Sequence, residues 1–208
     1  MATSNETIKA DIEAHQQALR ACRRCARMNG PVITGQPVAS RILLVGQAPG
    51  IHEAEVRRPF GWTAGKTLFK WLASIGVEED AFRRQVYMAA VCRCFPGKNA
   101  KGGDRVPSRE EIANCAEWLQ AEIRLLQPRL IIPVGKLAIS RFVAVNKLTD
   151  VIGQAINIEV EGARRRLIAL PHPSGASTWH QREPGKRLLH QALDLIAQTP
   201  EWQALKPQ

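Results

Sequence analysis

Five cysteines, Cys22, Cys25, Cys92, Cys94 and Cys115, are the residues of this chain best suited to hold a metal. Cys22 and Cys25 form a C-x-x-C pair, a spacing that clamps two corners of a metal site. Two more ligands would come from Cys92, Cys94 and Cys115. Four thiolates from three separate segments suit a structural zinc ion and a [4Fe–4S] cluster equally well by spacing. The odd thiol number and the C-x-x-C argue against a disulfide framework. Cys92 lies in a strand-like stretch and reads as a core thiol.

Two loops add acid–base and stacking groups. The first runs Gly46-Gln47-Ala48-Pro49-Gly50-Ile51-His52-Glu53 and continues through Pro59-Phe60 to Ala64-Gly65. Its Gly and Pro residues allow a tight turn and close backbone approach to a ligand. Glu53 and His52 supply an acid and a base, and Phe60 offers a face for a planar group. The loop is long for a strand-to-helix connection. The second is Pro171-His172-Pro173-Ser174, where two prolines present one histidine rigidly, a geometry suited to catalysis. The basic stretch after it, residues 177–187, holds Trp179 and is suited to a wedge or a phosphate contact.

The elements that must position these groups alternate. A helix is expected over 6–20, opened by Thr3-x-x-Glu6 in capping-box spacing. Short apolar runs at 41–46, 86–91 and 128–135 read as buried parallel strands. Helices are expected near 64–76, from Ser108 onward and over 184–197, with a short one after Gly135. Residues 151–160 and 164–170 alternate as a hairpin pair. Such alternation predicts a three-layer α/β/α fold around a mostly parallel sheet. Ligands bind at the carboxyl ends of the strands in these sheets. The loops after Val45, Val91 and Leu170 carry the unusual chemistry.

The chain has 208 residues, enough for one core of ordinary size, and 1–208 reads as a single domain. Lys and Arg number 29 against 19 Asp and Glu, a net charge of +10, which favours a polyanion such as nucleic acid. No apolar run is long enough to span a bilayer, and the polar N-terminal stretch reads as neither a secretory signal nor a transit peptide. A cytoplasmic, monomeric protein without a membrane partner is expected.

Three blocks together resemble the uracil-DNA glycosylase superfamily, most closely its iron–sulfur branches. Gly46-Gln-Ala-Pro-Gly50 through Pro59-Phe60 and Ala64-Gly65 resembles the first glycosylase motif, usually G-E-A-P-G-x-x-E-D-x-x-G-x-P-F. Val86 to Cys94, with Pro96-Gly97-x-Asn99, resembles the second strand and the cluster-ligand loop. His172-Pro-Ser resembles the second glycosylase motif. The resemblance implies a central four-stranded, mostly parallel sheet and a [4Fe–4S] cluster, with zinc as the alternative. The ligands fall on Cys22, Cys25, Cys94 and Cys115, in segments 22–25 and 94–115, and Cys92 is spare. Phe60 would stack on a uracil turned out of DNA. The backbone around Gln47, Ala48 and Gly50, together with Ala90 and Ser174, would line the base site. His172 would donate to a uracil oxygen. Glu53 is the first choice for activating water and His52 the second, with Gln47 able to position it.

The chain departs from the family pattern at four places, one of them the Arg57-Arg58 stretch where the motif has a Gly before its Pro-Phe pair. Gln47 replaces the motif's first Glu, Ala54 its Asp, and Ala89-Ala90 the Asn that reads the edge of uracil. Two alternatives to a strict uracil glycosylase follow: a wider range of deaminated bases, and a cluster-stabilised module that binds DNA without turnover.

Overall fold

The computed structural model describes residues 5–100, 102–175 and 177–206. The proposed capping residue Thr3 lies outside them. The described chain runs α1 (Asn5–Arg20), β1 (Ile42–Gly46), α2 (Glu53–Val56), α3 (Thr63–Ala73), α4 (Glu79–Gln85) and β2 (Tyr87–Ala90). It continues with α5 (Arg109–Leu126), β3 (Leu130–Pro133), α6 (Lys136–Ile139), β4 (Ala155–Val160), β5 (Ala163–Ile168), α7 (Gly185–Ala197) and α8 (Pro200–Gln203).

The strands form one five-stranded sheet in the order β2-β1-β3-β5-β4. The first four are parallel neighbours, as in the expected four-stranded core, with Gly46 beside Ala90 and Leu44 beside both Met88 and Ile132. The fifth, β4, pairs antiparallel with β5 at the edge, Ala155 opposite Ile168. Its presence is local chemistry. Glu161 and Gly162 both take positive φ, 49° and 67°, and close a two-residue hairpin.

Every residue of β1 is buried, as a strand covered on both faces requires. Side chains alternate between the two faces. Ile42 and Leu44 pack with Leu68 and Leu72 of α3 and with Leu189 and Leu193 of α7. Leu43 and Val45 pack with Ile12 of α1 and with Leu119 and Ile123 of α5. The fold is therefore α/β with helices on both faces of a mixed, mostly parallel sheet. Ser108 caps α5 as expected: Glu111 N donates to Ser108 Oγ, and Ser108 N donates to the Glu111 carboxylate.

α1 and α5 are tied to β2 by buried polar groups. Glu122 of α5 is fully buried, and its carboxylate accepts from Tyr87 Oη at 2.7 Å and from the Arg93 guanidinium. Gln16 of α1 donates to Tyr87 Oη at 3.2 Å and to Gly35 O at 3.1 Å. His15 Nε2 lies 3.5 Å from Glu122. Trp179 packs partly buried against the α7 face of the core, so its ring is not a protruding wedge. Among the described residues no helix is long and apolar enough to cross a membrane.

Candidate functional site

The order of strands reverses at β1, the place where open α/β sheets take their ligands. There a cavity of about 660 Å³ opens. Gln47, Ala48, Gly50, His52, Glu53 and Phe60 line it from the loop after β1. Ala90 lines it from the end of β2, and His172 and Ser174 line it from the loop beyond β5. The residues read from sequence as catalytic or base-contacting thus share one cavity.

Phe60 sits in a tense turn. Its φ is +52°, uncommon for a bulky side chain. Three residues hold the turn. The buried Arg83 donates from Nη1 to Pro59 O at 2.9 Å and from Nη2 to Phe60 O at 3.0 Å. The Glu53 carboxylate accepts from Gly61 N at 3.1 Å and from Gly50 N at 2.7 Å. Gly65 of α3 presses against the same turn, and a Cβ there would lie 1.7 Å from Phe60 O. The glycine of the Ala64-Gly65 pair is therefore required by close approach. Arg83 was not legible as a site residue, because its role depends on α4 folding back under the loop.

The Glu53 carboxylate is thus engaged by the loop it lies in. Burial pushes it above the ordinary carboxyl value, against the pull of the amide donors from Gly50, Gly61 and Phe60. His52 lies at the mouth, stacked on the exposed Trp62 at 4.5 Å between ring centroids, with Nδ1 3.6 Å from Glu55.

His172 is held by its neighbours. Ser174 N donates to His172 Nδ1 at 3.2 Å. Nδ1 is therefore the unprotonated nitrogen, and in the neutral ring Nε2 carries the proton. Burial lowers the His172 pKa below its usual value, Asp104 pulls the other way, and His180 adds to the lowering. The neutral ring, a single Nε2–H donor, is the form favoured near pH 7. The ring packs on Gly135, where a Cβ would come within 3.0 Å of it; φ at Gly135 is +86°. Asp104, Asn99 and Lys98, from the loop before α5, line the cavity as well. A polar, glycine-bearing segment next to a cysteine was the one signal that could have found them.

A second cavity, of about 870 Å³, shares Pro59 with the first. Cys22, Cys25, Cys94 and Cys115 all line it, as do Arg23, Arg24, Arg57, Arg58 and Arg93. No cysteine forms a disulfide. Cys92 is buried, with Sγ 3.6 Å from Glu111 O. Its interaction with Cys115 pushes the Cys92 thiol up and pulls the Cys115 thiol down. Burial and the neighbouring thiols push Cys94 up to about 11. Four thiols around one cavity, fringed by arginines, are a donor set suited to a thiolate-bound group. Among the described residues, no three or more His, Cys, Asp or Glu side chains are drawn together tightly enough to count as a metal site.

The fold and the cavity define an α/β protein with a ligand site at the switch point of a parallel sheet. The chain belongs to the uracil-DNA glycosylase superfamily, whose pattern matches residues 33–196. It is similar to a type-4 uracil-DNA glycosylase of Pyrobaculum aerophilum, 30% identical over 173 residues that cover 79% of this chain and 83% of that one. A type-4 uracil-DNA glycosylase of Archaeoglobus fulgidus is 30% identical over 75% of this chain and 78% of its own. A type-5 uracil-DNA glycosylase of Thermus thermophilus is 32% identical over 64% of this chain and 73% of its own.

Proposed function

We propose that this chain is a monofunctional DNA glycosylase that turns uracil out of DNA and hydrolyses its N-glycosidic bond in base-excision repair. One observation carries the reading. The three motif segments lie far apart in sequence, yet Phe60, Ala90 and His172 line the same cavity.

Cleavage of the bond between C1′ and N1 leaves positive charge on the sugar and negative charge on the base. The base leaves the stack at a cost of a few kcal/mol. Phe60, fixed in its turn, offers a face that returns part of that cost. The His172 Nε2–H is a preorganised donor where charge gathers on a base oxygen. Backbone groups around Gln47, Ala48 and Gly50, with Ser174, shape the rest of the site. The net charge of +10 holds the phosphate backbone, so binding weakens as salt rises.

The test is a uracil-containing oligonucleotide, single- and double-stranded, incubated with the protein and then treated with alkali. Strand cleavage at the uracil is expected. Tight, salt-sensitive binding with no abasic product overturns the reading in favour of a binding module. A wider range of deaminated bases is a second reading, favoured by Ala90, which brings no amide to the cavity. Excision of hypoxanthine or xanthine at rates near that for uracil would establish it.

We further propose that Cys22, Cys25, Cys94 and Cys115 hold a [4Fe–4S] cluster, on the resemblance and on their place around one cavity. Bound there, the cluster would cross-link the end of α1, the loop after β2 and α5. Cys94→Ala is expected to give colourless protein without iron or sulfide, and Cys92→Ala brown protein with both. Zinc in place of iron would overturn the cluster, and the reverse pattern would overturn the choice of ligands.

A further inference from the structure

We propose that the Asp104 carboxylate, not that of Glu53, holds and deprotonates the attacking water; this rests on the glycosylase reading above. Asp104 lies on the loop between β2 and α5, and it was not singled out from sequence. Three observations carry the inference.

The first is position. Asp104 lines the same cavity as His172 and Phe60. Its Oδ2 would lie 3.2 Å from a Cβ placed on Gly50, so only the bare glycine backbone separates it from the motif loop. Its charge also reaches across the cavity to His172. The acid and the donor thus face one space from loops at the ends of β2 and β5.

The second is rigidity. Residues 97–99 and 103–105 pair with each other: Asn99 N donates to Gly103 O at 3.0 Å, and Arg105 N to Gly97 O at 2.9 Å. Lys98 and Asp104 face each other as an antiparallel bridge. The next residue, Arg105, grips the Glu111 carboxylate with both terminal nitrogens, at 2.7 and 2.6 Å. Asp104 is therefore carried on a loop pinned to the start of α5.

The third is availability. The Asp104 side chain is exposed, and its carboxylate makes no hydrogen bond among the described residues. Glu53, by contrast, has each oxygen on a backbone amide. Taking a proton there would weaken the contacts that hold the Phe60 turn.

Asp104 accepts one proton of the water. The water oxygen bonds to C1′ as the C1′–N1 bond breaks, and that electron pair leaves on the base. The proton then passes from Asp104 to the base anion or to solvent. The products are the free base and an abasic sugar. While positive charge builds at C1′, the same carboxylate stabilises it.

Single-turnover excision and equilibrium binding on uracil DNA, measured for wild type, Asp104→Asn and Asp104→Glu, test this. Asp104→Asn should lower the rate by about 100-fold or more, the scale of general-base catalysis, with binding and melting temperature nearly unchanged. Asp104→Glu should recover part of the rate. An Asn variant within about threefold of an active wild type overturns the inference. Equal losses of rate and binding, with no recovery in the Glu variant, overturn it too. A wild type that excises neither uracil, hypoxanthine nor xanthine overturns the glycosylase reading itself, and the assignment of Asp104 falls with it.

Discussion

Replacing His172 with alanine should lower the single-turnover rate of base excision by about 100- to 1,000-fold, the cost of removing one preorganised donor at a developing anion. The affinity for uracil DNA should change little, because the charge that His172 meets is absent from the ground state. Three features of the side chain's surroundings support this expectation. Pro171 and Pro173 restrict the backbone on either side. The Ser174 amide occupies Nδ1, which leaves Nε2–H as the donor. Burial favours the neutral ring, and the low dielectric strengthens any hydrogen bond made there. His172→Gln keeps an N–H donor and should retain more rate than alanine. Equal losses in rate and binding for the alanine variant would mark His172 as a structural or phosphate contact.

Replacing Glu122 with glutamine should destabilise the protein by about 3–5 kcal/mol, the usual result of leaving one member of a buried ion pair without its counter-charge. At about 2–4 °C per kcal/mol for a chain of this size, the melting midpoint should fall by roughly 6–20 °C. Arg93 is 2% exposed and Glu122 fully buried, so the guanidinium left behind has little water to turn to. Arg93 Nη1 already lacks a partner among the described residues. Tyr87 Oη would also lose its charged acceptor. The pair supports the wall of the thiol cavity, since Arg93 lines it and sits between Cys92 and Cys94. Arg93→Met combined with Glu122→Leu removes both charges and should recover much of the loss, as buried pairs replaced by apolar residues often do. A shift below about 2 °C for Glu122→Gln would contradict a tightly packed buried pair.

Much of this protein is legible in its sequence where local rules decide. The apolar runs that became β1, β2 and β3 are short, continuous and closed by Gly, Pro or a cysteine-rich loop. The α5 cap needs only Ser108 and Glu111 at the right spacing. The hairpin of β4 and β5 shows in its alternation, although four strands were expected in the sheet and β4 makes a fifth. α2, α4 and α8 were missed. Two of them are four-residue turns and the third is seven residues long, too short for a periodic pattern to stand out. Glu122 left a trace, since it shares the apolar face of α5 with Cys115, Leu119 and Ile123. An acid at such a position implies a buried partner.

By itself the sequence determined the order of the main strands and helices, the presence of the thiols that line one cavity, and the loops that carry Phe60 and His172. These follow from periodicity, turn residues and residue type, which act over a few positions. Only the tertiary structure decided what each polar group in the cavity is doing. Glu53 and Asp104 are both carboxylates near the same loop, yet one has its oxygens on the amides of Gly50 and Gly61 and the other stands open to the cavity. Arg83 reaches the Phe60 turn from a helix more than twenty residues further along the chain. A side chain's part in chemistry depends on which of its lone pairs and protons are already taken. The partners that take them are brought together by burial of the sheet's two faces, not by proximity along the chain.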